Sequence, residues 1–349
     1  MTTTTARIHG LAALCTLAVA APAAAAPTTI DTLPRESGLD AGQGAVVWSR
    51  YDDAAKAYRL VVRRNGINSV APIDPSPVPF DADLGSDTRG RRAVVYSRCA
   101  SYTHERDQRD RCDLYILSLA TGAERRIKNA STAASESSPT LWRGQLAWLT
   151  ERKSGQAGYH RSLRAPAARK SRRLPGLPRR VCNLHNSKPC SRVLAAGIYE
   201  LELHGDRLAE IVGYDTAGGR GESTEVRLGS LRSGRSRRIA YQNIGENNQL
   251  YTGLSFGSRK VAWLRGCFED PGCAGSGAYR YGLSTHRYER ALEPQLYAGW
   301  AWTGAATYTS QLSRYDDDCR PDGSSPAAPC LVVRDADPGW RRVTARNVM

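Results

Sequence analysis

The densest acidic run in the chain is Asp316-Asp317-Asp318-Cys319-Arg320-Pro321-Asp322-Gly323. Hard carboxylate oxygens of this kind suit calcium, which takes about 6–8 oxygen ligands. Asp316, Asp318 and Asp322 are the candidate ligands, although the spacing follows no EF-hand loop and Arg314 and Arg320 stand close enough in sequence to neutralise them. Gly253-Leu254-Ser255-Phe256-Gly257 has the letters of a nucleophile elbow. That motif needs a strand, a sharp turn and then a helix, whereas the following Arg259-Lys260-Val261-Ala262-Trp263 reads as a strand. No catalytic residue is therefore assigned. His104 and His185 fall within loops bounded by cysteines and are the histidines best placed for ligand contact; none of the histidines has a zinc-type spacing. Ser49-Arg50-Tyr51-Asp52-Asp53 recurs unchanged as Ser313-Arg314-Tyr315-Asp316-Asp317. Tyrosine and arginine are the types enriched at binding hot spots, so Arg50, Tyr51, Asp52, Arg314, Tyr315 and Asp316 are candidate contact residues. For a hydrolase or lyase acting on polysaccharide, the one plausible carboxylate constellation is Glu269-Asp270 with Asp316 to Asp318.

The elements that must position these residues are short β-type runs punctuated by Gly, Pro and Asp, with almost no helical periodicity. A Gly-containing turn, an apolar pair and an aromatic recur along the chain. The copies end at Trp48, Tyr96, Trp148, Trp263 and Tyr308, with a degenerate copy at Glu210. A period near fifty with several strands per unit is a propeller signature. The expectation is an all-β, six-bladed β-propeller of four-stranded antiparallel blades, near residues 38–73, 80–129, 136–176, 192–242, 249–294 and 297–347. In each unit strand A precedes the Gly turn and strand B carries the aromatic. Strand C follows, and an arginine-rich strand D closes the unit, as in Arg125-Arg126-Ile127 and Arg341-Arg342-Val343. The last unit supplies its own strand D, so no exchanged closing strand is required, while Thr28 to Leu33 is left to add an outer strand somewhere.

Asp113-Leu114-Tyr115-Ile116, Leu119-Ala120-Thr121-Gly122 and Arg125-Arg126-Ile127 together resemble the second half of a TolB-type, WD40-like propeller repeat. The resemblance covers most of the chain after Gly38, with blade two the best match. It implies a propeller architecture.

Arg7 and His9, the apolar run Leu11 to Ala20 and the small residues Ala21 to Ala26 read as a cleaved export signal over residues 1–26, ahead of a propeller domain at 27–349. The run is too short to span a bilayer, which takes about 20 apolar residues. Beyond Cys15 lie four close couples, Cys99/Cys112, Cys182/Cys190, Cys267/Cys273 and Cys319/Cys330. An exported chain with paired cysteines reads as disulfide-bonded. All four couples fall in B–C loops or blade-to-blade connections, hence on one face of the disc. Braced loops on a rigid scaffold are where binding sites usually sit. The formal net charge of +15, nearly all from arginine, favours anionic partners. The expectation is thus a secreted, monomeric binding or scaffold protein. Its partner would be a protein or anionic envelope polymer held by the disulfide-braced face, with no specific nucleic acid, no transmembrane segment and no cofactor other than calcium at the acidic run.

Overall fold

The computed structural model describes residues 28–33, 38–103, 108–152, 155–164, 171–174, 194–215, 222–243, 249–257, 259–267, 277–291, 297–302, 307–313, 330–336 and 340–343. Every regular element among them is a strand. After β1 (Thr28–Leu33), a first blade runs through β2 (Leu39–Gly42), β3 (Ala45–Asp52), β4 (Ala57–Arg64) and β5 (Ile67–Val70). The second uses β6 (Asp81–Ser86) and β7 (Arg92–Arg98), detours through the hairpin β8 (Ser101–Thr103) and β9 (Gln108–Asp110), and returns as β10 (Asp113–Ser118) and β11 (Glu124–Arg126). The third is β12 (Ser135–Trp142), β13 (Gln145–Arg152), β14 (Gly155–Ser162) and β15 (Arg172–Arg173). The fourth is β16 (Leu194–His204), β17 (Arg207–Asp215), β18 (Glu222–Ser230) and β19 (Ser236–Asn243). Then come β20 (Gln249–Phe256), β21 (Lys260–Cys267), β22 (Gly277–Gly282) and β23 (Tyr288–Ala291). The chain ends in β24 (Tyr297–Trp302), β25 (Thr307–Ser313), β26 (Cys330–Ala336) and β27 (Trp340–Val343). The inner strands β2, β6, β12, β16, β20 and β24 pack side by side in that order, and β24 meets β2 again. The fold is an all-β propeller.

Two local devices recur among the blades. Tight turns with a left-handed pair, such as Gln43-Gly44 at φ 50° and 74° and Asn65-Gly66 at φ 52° and 80°, join neighbouring strands. Positive φ at both central residues matches the right-handed twist of the flanking strands. The aromatic column is a set of cross-strand pairs: Tyr96 stacks on Tyr115, Trp148 on Tyr159 and Trp263 on Tyr279. Trp48, Tyr96 and Trp263 are fully buried, and rings of this size dominate core energetics. Blade four places Glu210 opposite Arg227 at the same station.

The ring closes differently from the sequence expectation. Among the described residues four-stranded blades number five rather than six; the other sheets are one of five strands, β20–β23 with β27, and the two-stranded β8–β9 hairpin. Arg341-Arg342-Val343 does not complete the unit that precedes it. β27 pairs instead with β23, Tyr288 opposite Val343. The outer edge of β26 is already taken by β1, with Thr28 opposite Asp335 and Leu33 opposite Leu331. The unit expected at 297–347 therefore borrows its outer strand from the N-terminal end. Burial explains the exchange: Ile30 and Leu33 pack with Ala41, Val46, Trp48 and Val61 of the first blade. Asp31 accepts from Trp48 Nε1 at 2.8 Å, and Asn68 donates to the Ile30 carbonyl. β1 is thus bonded to one blade and packed on the next.

Cys99 and Cys112 form a disulfide at the base of the β8–β9 hairpin, buried beside Val78. Closing a loop of this length contributes about 3 kcal/mol in chain-entropy terms. Cys267 and Cys330 lie on described strands, but Cys182, Cys190, Cys273 and Cys319 lie outside the described residues, as do residues 1–27. Among the described residues no helix is long and apolar enough to cross a membrane.

Candidate functional site

Inner strands whose backbone amides face a neighbouring blade must find acceptors, because a buried unpaired N–H costs about as much as a lost hydrogen bond. Acidic residues on the preceding blade supply them. Asp40 Oδ2 accepts from Leu84 N and Asp83 Oδ2 from Leu141 N, each at 2.6 Å. Thr140 Oγ1 accepts from Leu203 N at 2.9 Å. Glu200 takes both Gly253 N and Leu254 N, at 2.9 and 2.6 Å. Asp81 accepts from Ser138 N. Glycines allow the close approach: a Cβ on Gly42 would stand 2.5 Å from the Leu84 carbonyl oxygen, and one on Gly85 only 1.8 Å from that of Leu141.

This arrangement gathers negative charge at the channel. Asp40, Asp83 and Glu202 place one carboxylate oxygen each within 4.8 Å of one another. Burial raises the carboxyls of Asp83, Glu200 and Glu202, and the mutual repulsion of like charges adds to the effect. Asp40 rises to about 6, through burial opposed by its bonds to Leu84 and Ala41. Three such oxygens can share a proton or hold a cation. The inner-strand carboxylates had no distinctive sequence signature except the spaced Asp-x-Gly at Asp40–Gly42 and Asp83–Gly85.

A second feature lies on the opposite, turn-bearing face. The turns after β2, β6 and β12 enclose a cleft of about 540 Å³ lined by Gln43, Thr88, Arg89, Trp142, Arg143 and Arg164 among others. Arg164 Nη2 donates to the Thr88 carbonyl. Arg143 lies 5.9 Å from the Trp142 ring centre, and Trp142 packs on His204 at 3.7 Å. Asp87, in the same turn as Arg89, is paired with Arg91 at 2.8 Å. Arg89 and Arg143 form no ion pair among the described residues and are exposed. The cleft is cationic with an aromatic wall, and a turn face of minimal loops gave no sequence hint of it.

The expected recognition residues are described in part. Asp52 accepts from Arg59 Nε at 2.7 Å and from the amides of Ala54 and Ala55, which hold its carboxyl below the usual range. Arg50 stands 3.9 Å from Asp31, beside the strand that closes the ring. Tyr51 packs edge-on against Tyr58. These contacts give all three a local structural task. His104, His185, Arg314, Tyr315, Asp316, Asp318 and Asp322 lie outside the described residues, as do Glu269 and Asp270. Ser255, in the elbow-like run, sits within β20 and is buried, with a strand following it.

No protein-family model matches the chain, and no curated protein does. Among solved structures, TolB from Acinetobacter baumannii is similar at 12% identity over 85% of this chain and 65% of that one, with a TM-score of 0.49. The chain therefore spans just under two thirds of that protein's length. The β-propeller domain of the Trilobed protease from Pyrococcus furiosus aligns at 8% identity over 91% and 84% of the two chains, TM-score 0.43. The acylaminoacyl peptidase of Pyrococcus horikoshii aligns at 9% identity over 89% of this chain and 53% of that one, TM-score 0.44. At these identities the likeness concerns the fold alone.

Proposed function

We propose that the chain is an extracytoplasmic binding propeller of TolB type that captures an anionic partner, a polymer of the envelope or an acidic protein surface, on its turn face. The observation that carries this reading is the cleft in which Arg89 and Arg143, without an ion pair among the described residues, stand beside Trp142. Arginine forks match carboxylate and phosphate geometry and stack on aromatic rings. The overall charge of +15 adds long-range attraction. The leader-like segment and the Cys99–Cys112 bridge fit an oxidising compartment outside the cytoplasm.

A second reading places the partner on the loop face. It is favoured by the disulfide-closed hairpin β8–β9, which the blade does not need, and by Tyr199, 57% exposed at the bulge of β16.

Heparin serves as a model polyanion for the first reading. Binding should weaken steeply from low to physiological salt, because exposed charges are screened beyond about 8–10 Å. Arg89→Ala with Arg143→Ala should lower affinity about tenfold, whereas Arg172→Ala with Arg173→Ala on the exposed outer strand β15 should change it little. Equal losses for the two pairs would mean that general charge, and not the cleft, does the binding.

A further inference from the structure

We propose that Asp40, Asp83 and Glu202 form a calcium site in the central channel. Blade-to-blade bonding accounts for one oxygen each of Asp40 and Asp83, both spent on leucine amides. It leaves two things unexplained. Asp83 is 5% exposed, and its Oδ1 is buried without a hydrogen-bond partner. Glu202 precedes Leu203 just as Asp83 precedes Leu84 and Thr140 precedes Leu141, so by register it should accept from Phe256 N, which sits opposite Val261 as Leu84 sits opposite Val94 and Leu203 opposite Leu208. Glu200 takes Gly253 N and Leu254 N, which is the task Asp81 performs for Ser138 N two residues before Asp83. Glu202 makes no such backbone bond among the described residues, and its carboxylate comes to rest beside Asp40 and Asp83.

Geometry and chemistry agree on the ligand. No Lys, Arg or His forms an ion pair with these three among the described residues. Donor oxygens within 4.8 Å of each other fit around one ion at about 2.4 Å from each, the calcium–oxygen distance. Magnesium demands near-ideal octahedral geometry and gives up its waters reluctantly, so it suits a cluster of protein carboxylates less well. Carboxylates alone are hard donors and exclude a preference for soft metals. Water in the channel completes the coordination. Asp40 and Asp83 are held in place by the amides they accept, so the site is preorganised on two rigid strands.

The test is calorimetric titration of calcium chloride into the chelator-stripped mature chain. One calcium should bind per chain, more tightly than magnesium, and raise the melting temperature. Glu202→Gln, which disturbs no backbone bond, should keep the fold by circular dichroism and weaken calcium about tenfold or more, as expected when a site loses ligand charge. Asp40→Asn is the second variant; its amide oxygen still accepts from Leu84 N, and it should show the same loss. Absence of calcium binding to the unmodified chain would overturn the proposal. So would undiminished binding in whichever of these variants folds, since the ion would then sit elsewhere.

Discussion

Gly85→Ala will leave little or no folded protein. The added Cβ would lie 1.8 Å from the Leu141 carbonyl oxygen, 2.6 Å from its carbon and 2.9 Å from the Leu141 Cβ. Those atoms belong to β12 of the next blade, and two of the three are backbone, so no side chain can rotate away. Relief requires the inner strands to separate, which would also stretch the 2.6 Å bond from Leu141 N to Asp83. Overpacking of a tight core typically costs about 1–3 kcal/mol, and loss of a buried amide–carboxylate bond adds roughly 1.5–3 kcal/mol. The sum is a large part of the 5–15 kcal/mol that usually holds a domain together. Gly38→Ala is the control, since nothing lies within 4 Å of the added atom. Urea titration of the two variants should show a normal transition for Gly38→Ala and a collapsed midpoint, or insoluble protein, for Gly85→Ala.

Glu210→Gln will stabilise the protein at alkaline pH and hardly change it at pH 5. Glu210 replaces an aromatic of the column, is fully buried, and neither of its oxygens has a hydrogen-bond partner. Burial pushes its pKa up to about 8, with the charge of Arg227 pulling the other way. The folded state therefore holds a proton that the unfolded chain releases near its ordinary value. Below about pH 4.5 both states are protonated and no penalty arises. As pH rises toward 8 the folded state loses relative stability by about 1.4 kcal/mol per unit, and the loss levels off above 8. The accumulated effect is of the order of 4 kcal/mol. Glutamine carries a neutral amide of the same shape, so the difference in unfolding free energy between Glu210→Gln and the unmodified chain should grow from near zero at pH 5 to several kcal/mol at pH 8.5. A constant difference across that range would show that Glu210 is not a buried, proton-holding group.

How far the fold was legible depends on how local each signal was. The aromatic stations and Gly turns are written in adjacent residues; the first five turns and aromatic stations fall within or beside the strands, Gly304 lies outside the described residues, and the stacked pairs across β7–β10, β13–β14 and β21–β22 are the physical reason the aromatics recur. Glu210 stood out as a degenerate copy because its type is wrong for that station. The fate of Arg341-Arg342-Val343 was not legible. An arginine-rich outer strand has the same local pattern whichever free edge it joins, and the choice depended on Thr28–Leu33 occupying the edge of β26. The Cys99/Cys112 couple stood out in the sequence because both residues belong to one loop, and the structure brings the two together.

The candidate sites were harder to see. Asp40, Asp83 and Glu202 are far apart in sequence, and each looks like an ordinary polar residue on a short strand. The register shift between Ile198 and Glu200, beside which Glu200 takes Gly253 N and Leu254 N, leaves no mark in composition. Likewise Arg89, Arg143 and Arg164 come from three separate turns that converge because the inner strands do.

The most direct measurement is capture of anionic envelope material from a native envelope fraction, comparing Arg89→Ala/Arg143→Ala with a chain whose β8–β9 hairpin is shortened between Cys99 and Cys112. The account predicts that the arginine variant loses capture about tenfold while the hairpin variant retains it, in line with a site built on charge-assisted contacts. Undiminished capture by the arginine variant together with loss in the hairpin variant would contradict it, and would place the working surface on the disulfide-braced face.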